Sequence, residues 1–320
     1  MVEKRNWKEY NDMLVRRGEI SLYIEPAALM QTKEIRQLNL DKVGRPFIYG
    51  NGLIFAGFAL KCLLRFGYRQ IKGTLRDLLK NINVKTPDFR TVWRRIKKMI
   101  NEGIKFNIHP IKVGEKIDVA IDSTGIKLVN DGEYRTKMYG KRKDWIKLHL
   151  AVDVNTGMIL TREITKDNVH DIKETKPLLN PIFGFMRTLF ADRAWDSEMT
   201  HKLAKKYGFK CVVPVRINAN RRCGGERRKA VIEQFNLSID NLSHGHYDSY
   251  FKELSKEYRM QNQHDWKEKF DYGKRWMVEG TYGKFKGMFG DGVFSKTKDM
   301  IRNEIDVKLY LYNMTISKGV

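Results

Sequence analysis

The sequence predicts an α/β chain: a mixed sheet covered by helices on both faces, preceded by an α-helical region. Three observations carry that class. Apolar residues recur at helical spacing from Gly50 to Lys80, strand-length apolar runs begin at Lys116, and after the third such run strands alternate with helices. Antiparallel hairpins followed by crossover helices give a mixed sheet with both faces covered.

Taken in order, residues 1–45 are charged and mixed, with a strand expected from Ile20 to Ile24 and a helix from Glu25-Pro26. Leu53, Ile54, Phe58, Leu60, Leu63 and Leu64 mark a first core helix, and Gly67 breaks the chain before a second, Tyr68 to Leu79. Asp88 is placed to cap a third, Phe89 to Asn101, which carries Arg90, Arg94, Arg95, Lys97 and Lys98. Short helices with a basic last member suit a helix-turn-helix reader of DNA, since that helix must enter a groove and neutralise phosphates. A plain helical bundle with a solvated cationic face fits the same spacing. Gly103 to Glu115, with Pro110 and Gly114, reads as a linker, so the chain divides into 1–115 and 116–320.

Lys116 to Ile121 is the first extended run and is expected to end at Asp122-Ser123-Thr124-Gly125. Ile146 to Asp153 alternates, Asn155-Thr156-Gly157 supplies a turn, and Met158 to Ile164 continues as a third strand. A helix from about Asp171 to Leu179, a strand Arg187 to Ala191 ending at Asp192, a helix Ser197 to Tyr207 and a strand Lys210 to Val215 complete five strands.

The chain has 320 residues, with 61 Lys and Arg against 38 Asp and Glu, a formal charge of +23. That excess calls for a polyanionic partner, and nucleic acid is the usual one. A membrane is not expected, because no apolar run approaches the ~18 residues of a spanning helix. The N-terminal stretch lacks a signal-peptide pattern, and Cys62, Cys211 and Cys223 are odd in number and far apart, so a reducing cytoplasmic setting is expected.

Asp122 and Asp192 close two apolar strands, where a carboxylate can leave a rigid sheet while its neighbours stay packed. Glu279 follows within YGKRWMVEGTYGKFK. On one helix, offsets of 0, 3, 7 and 14 put Tyr272, Arg275, Glu279 and Lys286 in a stripe roughly 60° wide. Three carboxylates and no His or Cys make a hard-cation site for Mg²⁺ or Mn²⁺, and two such ions would activate an attacking oxygen and stabilise the leaving oxygen of a phosphodiester. Asp196 is expected to cap the next helix, and His149 to be a satisfied structural histidine.

The pieces IDSTG, WIKLHLAVD, ADRAWD and YGKRWMVEGTYGKFK resemble the DDE transposases of prokaryotic insertion sequences, in the family-five group and relatives with a Tyr-Arg-Glu-Lys signature. Tyr272, Arg275, Glu279 and Lys286 fit that signature without a gap, and GEISLYIEPAALM, GRPFIYGN and TPDFRTVWRRIKK are similar to the group's front end. The resemblance implies an RNase H-like core with Asp122, Asp192 and Glu279 as catalytic and metal-binding residues, two Mg²⁺ or Mn²⁺ ions per site, and an insertion at about 216–271. It implies a DNA transposase that binds terminal inverted repeats through a helical region at 1–115, cleaves at the ends and joins them to target DNA. A homodimer on DNA in a prokaryotic cytoplasm, at the nucleoid, is the matching assembly. Expected DNA contacts are Tyr272, Arg275, Lys286, Arg94 and Arg95. To these are added Lys141, Arg142 and Lys143 in a basic turn, which could equally block sheet-edge pairing, and Arg221, Arg222, Arg227 and Arg228 in the insertion, which could equally be a solvated loop. Two rival readings keep parts of this picture: a catalytically silent DNA-binding repressor or architectural protein, and an RNase H-like nuclease on RNA–DNA hybrids.

Overall fold

A computed structural model describes residues 31–80, 84–101, 114–129, 145–217, 225–236 and 256–317, with single positions 8, 11, 12 and 15 ahead of them. The expected strand at 20–24, the helix start at 25–26, most of the linker, and Lys141, Arg142, Lys143, Arg221 and Arg222 lie outside the described residues. The chain divides into two units, Met1–Ile108 with Phe285–Val320, and His109–Lys284. The expected second region, 116–320, therefore loses its last stretch, which groups with the N-terminal helices.

In the helical unit α1 is Gln31–Asn39, α2 Asn51–Leu64, α3 Tyr68–Leu79 and α4 Phe89–Asn101. Helix α2 is apolar around most of its girth and buries Leu53, Ile54, Phe58 and Leu60, the mark of a core helix. Its free N-terminal amides are met by Glu34, which accepts from Gly52 N–H at 3.1 Å. Asp88 caps α4, its Oδ1 accepting from Arg90 N–H at 3.0 Å.

The second unit holds β1 Ile117–Leu128, β2 Trp145–Asp153, β3 Ile159–Lys166, α5 Asp171–Leu179, β4 Met186–Phe190, α6 Glu198–Tyr207, β5 Lys210–Val212, α7 Gly225–Gln234 and α8 Lys256–Lys269. The strand order is β3-β2-β1-β4-β5, with β1, β2 and β3 antiparallel and β4 and β5 parallel to β1. This is the RNase H-like arrangement. On one face Ile117, Val119 and Ile121 of β1, with Leu189 and Ala191, pack against Leu178 and Leu179 of α5 and Leu203 and Ala204 of α6. The alternate residues, among them Asp122, point to the other face.

Helix α9, Trp276–Phe289, covers that face: the Tyr282 hydroxyl stands 2.8 Å from Asp122 O and 3.0 Å from Leu148 O. From Phe285 onward its residues group with the helical unit. There α10, Lys298–Ser317, lays Tyr310 against Phe55 of α2, ring centroids 5.6 Å apart. Glu304 on α10 is fully buried and bonds Lys308 (2.9 Å), Lys61 of α2 (3.5 Å) and Ser295 Oγ (2.7 Å).

Two elements differ from expectation. Strand β1 does not stop at Asp122 but runs to Leu128, pairing with β2 as far as Lys127↔Trp145. Gly125 is strand glycine rather than turn glycine, since a Cβ there would lie 2.9 Å from the Trp145 ring. The stretch Tyr272–Lys286 is not one α-helix, because Tyr272–Arg275 is a 3₁₀ turn leading into α9. Tyr272 is therefore out of phase with the stripe that Arg275 and Glu279 share.

Candidate active site

Strand register brings the two aspartates together. Ala120 of β1 pairs in parallel with Phe190 of β4, and Asp122 and Asp192 each stand two residues further on, in extended backbone and on the same face. Asp122 Oδ1 accepts from Ser123 N–H at 2.8 Å, and Asp192 Oδ1 from Ala194 N–H at 2.8 Å, which starts the 3₁₀ turn Arg193–Trp195. Glu279, in the first turn of α9, lies within electrostatic reach of Asp122.

The cluster is mutually repulsive. Burial raises Asp122 first; Asp192 and Glu279 raise it further against the opposing Ser123 amide and Arg275, and its carboxyl is pushed up to about 6. Arg275 lies between two of the acids, with Nη2 2.5 Å from Glu279 Oε1 and Nη1 3.6 Å from Asp122 Oδ2. Among the described residues no group of three or more His, Cys, Asp or Glu side chains is arranged to hold a metal ion. The donor chemistry nonetheless fits a hard divalent cation: every donor is oxygen, the three carboxylates interact, and their repulsion is what such an ion relieves.

Tyr272 stands at the edge of this cluster. Burial first, then Asp192 and Asp122 against Arg275 and Arg193, push its phenol up to about 12, so it remains a neutral hydrogen-bond donor. Lys286 lies two turns beyond Glu279 on α9 and groups with the helical unit.

Several expected DNA contacts face elsewhere. Arg94 is exposed, whereas Arg95 is 8% exposed, donates to Tyr49 O at 3.1 Å and to Asn51 Oδ1, and stacks 4.2 Å over Phe47. It is a core residue because Val92, Arg95, Ile96 and Met99 form one helical stripe, and that stripe is the buried one. The opposite stripe, Arg90, Trp93, Arg94 and Lys97, is exposed, and Trp93 with Phe89, Tyr68 and Arg69 lines a cleft of about 600 Å³. The i, i+3, i+4, i+7 pattern was present in the sequence and separates Arg95 from its neighbours.

Arg227 is likewise committed. Its Nε and Nη2 donate to Asp196 Oδ1 and Oδ2 at 2.9 and 2.6 Å. Burial raises Asp196, but His201, Arg227 and the Arg216 amide outweigh it and hold the carboxyl at about 2. Asp196 is thus a buried anchor for the insertion, and Ser197 is the cap of α6, its Oγ accepting from Thr200 N–H at 3.1 Å. Arg228 is half-buried on α7. His149 is fully buried, its Nε2 3.0 Å from Thr165 Oγ1, on the sheet face away from Asp122. Sequence reading missed Arg193, Lys267 and Trp276. Arg193 follows Asp192, Lys267 lies over Tyr272, and Trp276 is 65% exposed with Arg275 5.9 Å from its ring.

Sheet order, with one carboxylate within β1 and another just past β4, defines the class: an RNase H-like fold whose acidic cluster lies beneath a covering helix. The chain belongs to the DDE transposase family, matching the Transposase DDE domain over residues 114–314 and a second family of the same description over residues 15–131. An uncharacterized protein of Aquifex aeolicus is 28% identical over 203 residues, 59% of this chain, and the match spans 62% of that protein's length. Two solved structures are similar at a distance. The piggyBac transposase synaptic complex with hairpin DNA gives a TM-score of 0.42 at 13% identity, covering 94% of this chain and 74% of that one. The Drosophila P element transposase strand transfer complex gives 0.33 at 10%, covering 89% and 69%. Among the described residues no helix is long and apolar enough to cross a membrane.

Proposed function

We propose that this chain is a DNA transposase of the prokaryotic insertion-sequence group with the Tyr-Arg-Glu-Lys signature. It binds the terminal inverted repeats of its element, hydrolyses a phosphodiester at each end and transfers the freed 3′-hydroxyl to target DNA. The observation that carries this reading is the register that sets Asp122 beside Asp192 under the Glu279 helix, in a chain of net charge +23.

Asp122, Asp192 and Glu279 would hold divalent cations, Mg²⁺ or Mn²⁺ and two per site, which when bound lower the pKa of an attacking water or hydroxyl and stabilise the leaving oxygen. The remaining roles fall to the chain itself. Arg275 holds Glu279 through its 2.5 Å bond and turns the rest of its fork toward the site. The protonated Tyr272 phenol donates to a phosphate oxygen and is no nucleophile. Lys286 adds a phosphate contact further along α9. The exposed stripe Arg90, Trp93, Arg94 and Lys97 of α4 faces the end DNA, and the exposed Trp276, beside Arg275, is an aromatic available to an unstacked base. Pairing of two ends makes a homodimer on DNA the working form, in the cytoplasm at the nucleoid.

The test uses full-length protein, Mg²⁺ or Mn²⁺, and duplex carrying the DNA that flanks the coding region. Asp122→Asn, Asp192→Asn and Glu279→Gln should each abolish cleavage while leaving DNA affinity within about threefold of wild type, since none of them removes a cation from the phosphate-binding surface. Retained cleavage in any of the three removes that residue from the site. Binding without cleavage by the wild type would mark a silent binder instead.

A further inference from the structure

Three cations gather around Tyr272, and among the described residues two of them have no anion within salt-bridge distance. The Lys267 ammonium on α8 lies 5.3 Å from the centroid of the Tyr272 ring, and the Arg275 guanidinium lies 5.8 Å from the same point. The third is Arg193, directly after Asp192, whose Nη2 donates to Gln263 Oε1 at 2.5 Å. Gln263 stands one helical turn before Lys267 on the same face of α8. Its own amide is fixed, with Nε2 donating to Val215 O at 2.9 Å and reaching Gln234 Oε1 at 3.1 Å. Arg193 is thus held in place by a buried glutamine that is itself held by Val215, three residues past β5, and by Gln234 of α7.

Arg275 is balanced by Glu279 and Asp122. Among the described residues Lys267 and Arg193 have no carboxylate within 4.0 Å. Like charges drawn together in a half-buried place are unfavourable until an anion joins them. The strain shows at Lys267, where burial first, then Arg193 and Arg275, hold the ammonium below the usual lysine range. A cleft of about 610 Å³ opens beside Lys267 and Tyr272, lined also by Gly273, Lys274, Glu268 and Asp271 but by neither Arg193 nor Arg275. Its two acids are both 73% exposed, and Asp271 lies 3.5 Å from Lys274.

We propose that Arg193, Lys267 and Arg275 form a cradle for a phosphodiester group of bound DNA beside the acidic cluster, with the Tyr272 phenol as a fourth donor. The assignment rests on the transposase reading and adds the insertion helix α8 to the DNA path. Guanidinium forks with a compact ammonium suit a tetrahedral anion, whose oxygens accept from several directions at once. Lys267 of the insertion then closes the phosphate site that Arg193 and Arg275 begin.

The experiment measures binding of a short fluorescein-labelled DNA duplex across a salt series, without divalent metal. Lys267→Gln should lower the slope of log affinity against log salt by about 0.9, the loss of one phosphate contact, and Lys267→Arg should keep the wild-type slope. Lys267 of the wild-type protein should also become resistant to acetylation when the duplex is present. A Lys267→Gln slope equal to wild type overturns the cradle, as does equal acetylation with and without DNA. Asp192→Asn separates the two readings: if it still cleaves end DNA, the transposase mechanism falls, while the cradle is judged on slope and acetylation alone.

Discussion

Glu304→Gln should be among the most destabilising single substitutions in the helical unit. The wild-type carboxylate is 0% exposed and lies between two almost fully buried lysines, Lys308 at 2.9 Å and Lys61 at 3.5 Å, and it also accepts from the amides of Phe294 and Ser295. Burial raises its carboxyl, but Lys308 and Lys61 with Ser295 outweigh burial and hold it at about 2, against 4.5 in the free side chain. A carboxyl with a depressed folded pKa stabilises the fold above its unfolded pKa and stops doing so as pH falls through the folded value. Here the window runs from 4.5 down to about 2. The difference corresponds to about 3 kcal/mol at pH 7, of which roughly 1 should survive at pH 3. The amide keeps the shape and leaves two ammonium groups buried without an anion, consistent with the 3–5 kcal/mol typical of breaking a buried pair, about the same size. Lys61→Met should cost less than about 1 kcal/mol, since it leaves the shorter Glu304–Lys308 pair intact and removes the excess charge. Urea unfolding followed by helical circular dichroism at pH 7 and pH 3 measures both. A Glu304→Gln loss under about 1 kcal/mol at pH 7, or one that does not shrink at pH 3, would refute the reasoning.

The remaining predictions concern the sheet unit. Arg227→Gln should destabilise by about 3–5 kcal/mol in urea unfolding, because it strands the buried Asp196 carboxylate, while leaving the salt slope of DNA binding unchanged; a reduced slope would return Arg227 to the phosphate contacts. His149 is pushed down to about 4, chiefly by burial, with Asp171 opposing. Its unfolded form binds a proton near 6.5 and its folded form does not, so stability should fall as pH drops from 6.5 towards 4, by up to about 3 kcal/mol. His149→Gln should flatten that dependence, and an imidazole NMR titration near 6.5 in the folded protein would contradict it. Tyr282→Phe should cost about 1–2 kcal/mol by leaving the carbonyls of Asp122 and Leu148 without the hydroxyl; a change in unfolding midpoint too small to detect would show the hydroxyl to be dispensable.

Helix positions were the most legible part of the sequence. Tyr68–Leu79, Phe89–Asn101 and Asp171–Leu179 were bounded by residues whose local chemistry starts or stops a helix, and the structure has the same bounds. The acidic edge was legible because apolar runs end where carboxylates begin. The continuation of β1 past Asp122 was not, since Ser123-Thr124-Gly125 has turn composition and only the cross-strand ring of Trp145 explains its glycine. Directions of long cationic side chains were the weakest inference. Arg227 turns inward because Asp196, 31 positions earlier, lies buried beside it, and nothing local to the insertion reveals such a partner. Lys267 escaped notice for the same reason: the cations that give it meaning, Arg193 and Arg275, come from a strand end and a 3₁₀ turn.

The buried acid–base triad has a consequence for synthesis on the ribosome. The chain is made from one end, yet Lys61 waits for Glu304 and Phe55 waits for Tyr310. At about 5–20 residues per second, some 10–40 s pass between the emergence of α4 and that of α10. Throughout that interval α2 carries an uncompensated ammonium in what will be its core, and every strand of the β3-β2-β1-β4-β5 order leaves the exit tunnel before the interval ends. Order of translation and order of completion are therefore reversed: the helices made first are finished last.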